Sequence, residues 1–223
     1  MAFWVLGTIG LLIAYLLGAT PSGYLAGKLR GIDIREHGSG STGATNVLRT
    51  LGKGPALIVL VADALKGAAA IVFAGWFYPW LATSVGLPAG VELAALVPWA
   101  VALSGLAVLL GHGRSIWLNF TGGKSAATGV GVLLAVSWPI GLAAAAVWGV
   151  ALAVTRIVSL SSILAAVTAM VLVIALEQPL AYRLLVLAGG LYVILRHRAN
   201  IGRLRAGTEP RLGQGVPASP PAH

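Results

Sequence analysis

The 223-residue chain has no cysteine. That excludes disulfides, thiolate zinc sites, iron–sulfur clusters and a cysteine nucleophile, and it removes redox usage as a guide to compartment. Charge is also scarce: 9% of residues are Asp, Glu, Lys or Arg, against about a quarter in soluble domains. Acid is the scarcer sign, with 6 Asp and Glu against 15 Lys and Arg for a net charge of +9. What abounds is apolar surface, at 58% hydrophobic residues and a mean hydropathy of +0.91. This composition excludes a soluble globular protein and fits an all-α, polytopic membrane protein. At about 20 residues per span, some seven transmembrane helices take up most of the apolar residues. No sizeable extramembrane domain fits, so any chemistry falls to short loops and helix ends.

Seven apolar runs can be drawn, at 3–19, 55–77, 92–110, 126–136, 140–154, 159–176 and 180–195. Breaks between them carry turn chemistry: Thr20-Pro21-Ser22-Gly23, Tyr78-Pro79, Gly86-Leu87-Pro88, Ser137-Trp138-Pro139 and Glu177-Gln178-Pro179. No basic stretch precedes the first run, which argues for a retained helix rather than a secretory signal. The fourth run is short for a bilayer crossing. Every Lys and Arg except Lys66 and Arg183 follows the first, third, fifth or seventh run. Basic flanks stay on the cytoplasmic side, so the N-terminus is expected outside and the C-terminus in the cytoplasm. Residues 1–211 read as one transmembrane domain and 212–223, with Pro217, Pro220 and Pro221, as a disordered cytoplasmic tail. The positive charge suits anionic headgroups and an anionic substrate. Nucleic acid is a poor partner, because the basic residues sit in short juxtamembrane loops without interleaved aromatics.

Three of the segments on that side carry similar chemistry. The first, Gly38-Ser39-Gly40-Ser41-Thr42-Gly43-Ala44-Thr45-Asn46-Val47-Leu48-Arg49, is dense in glycine and hydroxyls. Glycines let backbone amides approach an anion, Ser and Thr donate hydrogen bonds, and Arg grips phosphate with two parallel donors. Gly38, Gly40 and Gly43 match a dinucleotide fingerprint, but no strand precedes them and no βαβ unit surrounds them. A flexible membrane loop is the plainer reading; Thr45, Asn46 and Arg49 count against it. The second segment contains Gly122-Gly123-Lys124-Ser125 and resembles the end of a Walker A sequence, which fails because Leu118 stands where the first glycine is required. Two glycines at a helix start would still offer unpaired amides to an anion, with Lys124 adding a point charge. Lys124 as a simple positive-inside anchor is the alternative. The third segment, 196–210, follows the last run and holds His197, able to exchange a proton near neutral pH, with Asn200, Arg203 and Glu209. Glu209 among arginines suits an ion-pair organiser better than a base.

Asp63 and Lys66 lie inside the second run and share a helix face. Each alone costs about 2.5 to 3.5 kcal/mol at the bilayer centre, so they are expected to pair, either structurally or as the floor of a site.

The three segments, with Asp63-Ala64-Leu65-Lys66-Gly67 between the first two, resemble the motifs of the bacterial acyl-phosphate:glycerol-3-phosphate acyltransferase family. The order of motifs and the hydrophobic scaffold also fit, over residues 1 to 213. The family usually has Asn where this chain has Ser41, and commonly Gly-Val where it has Ser125-Ala126. The resemblance implies transfer of a fatty acyl group from acyl-phosphate to the sn-1 hydroxyl of glycerol 3-phosphate, giving lysophosphatidic acid and phosphate. It implies a multi-pass protein of the bacterial inner membrane with its site facing the cytoplasm, and no acyl-CoA, metal or other cofactor. It leaves room for a soluble acyl-phosphate-producing enzyme to dock on the basic loops.

On that reading Gly122, Gly123 and Lys124 hold the donor's phosphate, with Thr128 nearby on the same segment. Arg49, Arg203 and Asn200 bind the glycerol phosphate, and Ser39, Thr45 and Asn46 donate hydrogen bonds to phosphate or carbonyl oxygens. His197 or the substrate's own phosphate is the expected base, Glu209 organises the arginines, and Asp63 with Lys66 shapes the floor. The rival is a transporter of a phosphorylated solute, which usually has a midplane site between repeats; the loop motifs do not repeat.

Overall fold

A computed structural model describes residues 1–213. The Pro-rich segment expected to be disordered falls in 214–223, outside the described residues. Among the described residues ten α-helices follow in order: α1 Ala2–Ala19, α2 Ser22–Lys28, α3 Ala44–Leu51, α4 Lys53–Val85, α5 Leu93–Gly113, α6 Ala126–Val136, α7 Trp138–Thr155, α8 Val158–Ala175, α9 Leu180–Arg196 and α10 Arg198–Arg205. Two single-turn 3-10 helices, Ile34–Glu36 and Ile116–Leu118, complete the set. Among the described residues the sole β feature is an isolated bridge between Ser115 and Thr121.

The seven apolar runs become α1 and α4 to α9. Five of these, α1, α4, α5, α7 and α8, are long and apolar enough to cross a membrane. The α9–α10 pair adds a sixth when its two helices, bent by 58°, are counted as one span, and α6 is apolar but only 11 residues long. Two differences from the sequence expectation concern proline and the loops. Pro79 does not end the second run; α4 continues through it to Val85, as α5 does through Pro98. Proline removes one donor and crowds the turn before it, but packed neighbours absorb this in a membrane bundle. Tyr78, beside Pro79, is buried and donates its hydroxyl to the Gly7 carbonyl of α1 at 2.8 Å. The polar segments are themselves partly helical: α2 forms after Pro21, α3 carries the second half of the first motif and α10 most of the third.

Lipid gives helices no hydrophobic reason to associate, so close backbone packing has to hold them. Here glycines provide it reciprocally. Gly18 of α1 lies against the Val108 carbonyl of α5, and Gly111 of α5 against the Tyr15 carbonyl of α1. α4 and α6 repeat the device, with Gly67 on the Thr128 carbonyl and Gly131 on that of Ala64. A Cβ at any of the four would collide with backbone.

Two apolar clusters result. One joins α1, α4, α5, α6 and α9 and includes Leu81, Val108, Leu109, Val132 and Leu185. The other joins α7, α8 and α9 around Ile140, Ala144, Ala169, Val173 and Val186. A cavity of about 420 Å³ runs between them. Along α8 its lining passes from Ser159 through Ser162 and Ala165 to Ala169, about 15 Å at the helical rise.

Candidate active site

The mouth of the cavity is built by the three polar segments together: Ser39, Thr45, Arg49, Lys124, His197, Asn200, Arg203 and Glu209 all line it.

In the first segment, Asn46 is the organiser. It is buried, the two hydrogens of its amide nitrogen are shared among the carbonyls of Ile34, His37 and Ser41 at 3.0, 3.0 and 2.9 Å, and its carbonyl accepts from the Ser39 N–H at 2.9 Å. Its hydrogen-bonding capacity is therefore turned on the loop, not on a ligand as the sequence reading expected. Gly38 and Gly40 sit at φ of 59° and 67°, the left-handed region that glycine enters without strain. Thr45 and Arg49 follow on α3, one turn apart, so both reach the same face.

The third segment holds the second. Lys124 Nζ donates to Asn200 Oδ1 at 2.6 Å; Asn200 Nδ2 donates to Glu209 Oε1 at 2.6 Å. Ser159 Oγ donates to the same Glu209 oxygen at 2.7 Å, and Arg203 Nε to the other at 2.7 Å. Burial works against the Glu209 carboxylate, but donation from Asn200, Ser159 and Arg203 outweighs it and holds the group below its usual range. Glu209 is thus ionised, with both oxygens engaged. Burial, with the charges of Arg203, Arg49 and Arg196, brings the Lys124 ammonium down to about 8 against the pull of Glu209. His197 Nδ1 lies 2.7 Å from the Val193 carbonyl. A carbonyl only accepts, so the neutral ring carries its proton there and leaves Nε2 with a free lone pair. Burial, aided by Lys124 and Arg196, lowers this imidazole to about 4, so it is neutral at pH 7.

The sequence expectation for Gly122, Gly123 and Thr128 is corrected. The Gly123 N–H is taken by the His112 carbonyl at 3.2 Å, and neither glycine lines the cavity. Both are required for packing, since a Cβ at Gly122 would strike the His112 carbonyl and one at Gly123 the His112 ring. Thr128 is fully buried at the α4–α6 crossing, also off the cavity, with no partner for its hydroxyl among the described residues. The Gly122 N–H has no acceptor among the described residues but lies off the cavity, and the unpaired amides beside the cavity begin at Lys124. The first N–H groups of a helix have no intrahelical acceptor, and those of Lys124, Ser125, Ala126 and Ala127 find none among the described residues. Ser125 has φ of 61°, which accounts for the glycine expected at this position; its Oγ donates to the Leu109 carbonyl at 2.9 Å.

Asp63 and Lys66 pair as expected, at 2.9 Å. Asp63 Oδ1 also accepts from Ser22 Oγ at 3.0 Å and lies 3.5 Å from His112 Nδ1, while Lys66 Nζ donates to the Thr20 carbonyl at 2.9 Å. Asp63 and His112 reach the cavity wall beside Lys124; Lys66 lies behind them.

A family model described as glycerol-3-phosphate acyltransferase matches residues 8–207. The chain belongs to the glycerol-3-phosphate acyltransferase family. It is 73% identical to glycerol-3-phosphate acyltransferase 2 of Rhizobium johnstonii, over 96% of this chain and 99% of that protein. It is 54% identical to a glycerol-3-phosphate acyltransferase of Nostoc sp., with 96% of each covered. Its fold matches the crystal structure of PlsY (YgiH), an integral membrane glycerol 3-phosphate acyltransferase, in the glycerol 3-phosphate form. That match has a TM-score of 0.80 and 36% identity, covering 93% of this chain and 96% of the other. The lysophosphatidic acid form of the same enzyme gives 0.78 and 35%. As a member of the glycerol-3-phosphate acyltransferase family the chain is an acyltransferase with several membrane-crossing helices.

Within this glycerol-3-phosphate acyltransferase fold, the motif reading missed Ser159, the inward turn of Arg196 and the partner of His112. Ser159 lies at the edge of an apolar run and shows no motif. His112, in the second polar segment, has no partner within sequence reach, because Asp63 meets it from another helix. Arg196 is hidden among four other arginines of the tail, yet its guanidinium turns inward onto the Gly122 and Gly123 carbonyls.

Proposed function

We propose that this acyltransferase moves a fatty acyl group from acyl-phosphate to the sn-1 hydroxyl of glycerol 3-phosphate, giving lysophosphatidic acid and phosphate, the first acylation of phospholipid synthesis. One observation carries the reading: a mouth of Arg49, Lys124, Arg203 and hydroxyl groups opens directly into an apolar cavity between helices. That juxtaposition suits a donor with a phosphate at one end and an acyl chain at the other. The Lys124 ammonium and the free amides at the start of α6 hold the donor's phosphate and take up charge as it leaves. Arg49 and Arg203 hold the phosphate of the acceptor. Ser39 and Thr45 donate to its oxygens, and Asn46 acts one step back by shaping the loop. His197 Nε2 receives the proton of the attacking hydroxyl; the acceptor's own phosphate is the alternative base. Acyl-phosphate is already activated, so no covalent enzyme intermediate is required.

We further place the chain in the bacterial inner membrane as seven spans, counting α6 as the short one, with the N-terminus outside and the C-terminus in the cytoplasm. The charge pattern supports this, as does the convergence of all three polar segments at one end of the bundle. Residues 1–211 then form the catalytic domain, and the Leu212 N–H still reaches the Arg156 carbonyl at 2.7 Å. A soluble donor-producing enzyme docking on the basic segments remains part of this proposal. Against transport, Ile140 and Val173 lie buried beyond Ala144 and Ala169 at the deep end of the cavity.

The test is phosphate release by detergent-purified protein given palmitoyl-phosphate, with and without glycerol 3-phosphate, beside Lys124→Ala. Release that requires the acceptor and collapses in the variant is expected. No release from folded wild type would overturn the reading and return transport to consideration.

A further inference from the structure

Arg196 ends α9 and by sequence is one more arginine of a basic tail. In the structure its half-buried guanidinium faces backbone: Nη2 donates to the Gly122 carbonyl at 3.1 Å and to the Gly123 carbonyl at 2.9 Å, with Nε 3.3 Å from the latter. On the far side of the same turn the Gly123 N–H donates to the His112 carbonyl, and the His112 ring rests on Asp63.

A planar trans peptide points its carbonyl and the following N–H in opposite directions. Drawing the Gly122 carbonyl toward Arg196 therefore sends the Gly123 N–H toward His112. Drawing the Gly123 carbonyl the same way sends the Lys124 N–H away from the guanidinium. That amide has no acceptor among the described residues, and it opens the run of free N–H groups that leads into α6. Two neighbouring carbonyl oxygens also carry partial negative charge, which would repel a phosphate were they turned toward it. Arg196 keeps both occupied.

We propose that Arg196 is a positioning residue for the donor's phosphate: by gripping the Gly122 and Gly123 carbonyls it sets the peptide planes that present the Lys124 amide and ammonium. The inference rests on the acyl-phosphate reading above. It depends on the shape of the guanidinium and not on charge alone, because a planar fork spans two carbonyls that a lysine ammonium, a point charge on a flexible stem, does not hold in the same geometry.

The experiment compares wild type, Arg196→Lys and Arg196→Ala as full chains in detergent. It reads KM for palmitoyl-phosphate, KM for glycerol 3-phosphate, inhibition by inorganic phosphate, and the melting temperature. Both variants are expected to lose about a hundredfold in kcat/KM for palmitoyl-phosphate, the scale of one lost oxyanion donor. Inhibition by inorganic phosphate should weaken with it, while KM for glycerol 3-phosphate holds. Added guanidinium ion should restore the Arg196→Ala enzyme where added ammonium does not. Wild-type constants in Arg196→Lys would overturn the proposal, since charge alone would then suffice. Equal losses for both substrates without guanidinium rescue would also overturn it, reducing Arg196 to a structural prop. If Arg196→Ala does not fold, Arg196→Lys decides. Wild type that releases no phosphate defeats the acyl-phosphate reading; wild type that releases it beside an indifferent Arg196→Lys defeats this inference alone.

Discussion

Lys124 Nζ lies 2.6 Å from the side-chain carbonyl oxygen of Asn200, so a residue at the start of α6 is aimed by one on α10. Because Asn200 also donates to Glu209, a single amide transmits the order of the third segment to the cavity-facing charge of the second. Asn200→Ala removes both bonds and leaves a buried carboxylate short of one donor. A stability loss of about 1–3 kcal/mol is expected, with a larger proportional loss of activity. Melting temperature and turnover measured on one preparation would separate the two effects.

Activity should depend on pH through Lys124 and His197. In the proposed roles the lysine works charged, so kcat/KM for the donor is expected to be retained below about 8 and lost above it. The histidine works neutral, so its contribution is retained above about 4 and lost below. Lys124→Arg should abolish the alkaline fall, because an arginine stays charged throughout. A pH–rate profile of the two proteins checks this.

His197→Ala tests the base directly. A general base contributes roughly a hundred- to ten-thousandfold, and a loss of that order in kcat is expected with little change in either KM. A loss under about tenfold would assign the proton to the acceptor's phosphate, as an imidazole lowered to about 4 is a modest base at neutral pH.

The reciprocal glycines predict a strictly steric sensitivity. Gly131→Val puts side-chain atoms where the Ala64 carbonyl now sits, and the backbone there has no way to yield without parting α4 from α6. Destabilisation of about 3 kcal/mol is expected from overpacking of this kind. Gly149, with open space around its Cβ position, is the control. Thermal unfolding in a single detergent would rank the two.

Ala169 lies at the deep end of the cavity. Ala169→Leu should shift donor preference toward shorter chains, with octanoyl-phosphate used as before and palmitoyl-phosphate used poorly. The short donor doubles as the folding control.

The seven runs were readable because apolarity and punctuation agree; α6 begins after Ser125 and stops at Ser137 as its flanks suggest. The end of α4 was not, since proline's effect on an isolated helix says little about one braced by neighbours. Within the site, residue types pointed to the right segments but not to the directions of their groups. A glycine pair looks the same in sequence whether it offers its amides or its carbonyls, and here Arg196, 73 positions away, settles it. Asn46 looks like a donor to ligand until its three carbonyl partners are seen. Ser159 and His112 take part through chain crossings that no local pattern records.

The bonding of Asn46 also makes the first segment fragile in a particular way. Three carbonyl oxygens converge on one side-chain amide, so what the position demands is hydrogen, not volume. Aspartate, its near-perfect isostere, would put an oxygen where the donating nitrogen now sits, inside a cage of oxygens. Asn46→Asp would therefore unfasten the loop while leaving its packing volume almost unaltered, a lesion that a purely steric view of the site would pass over.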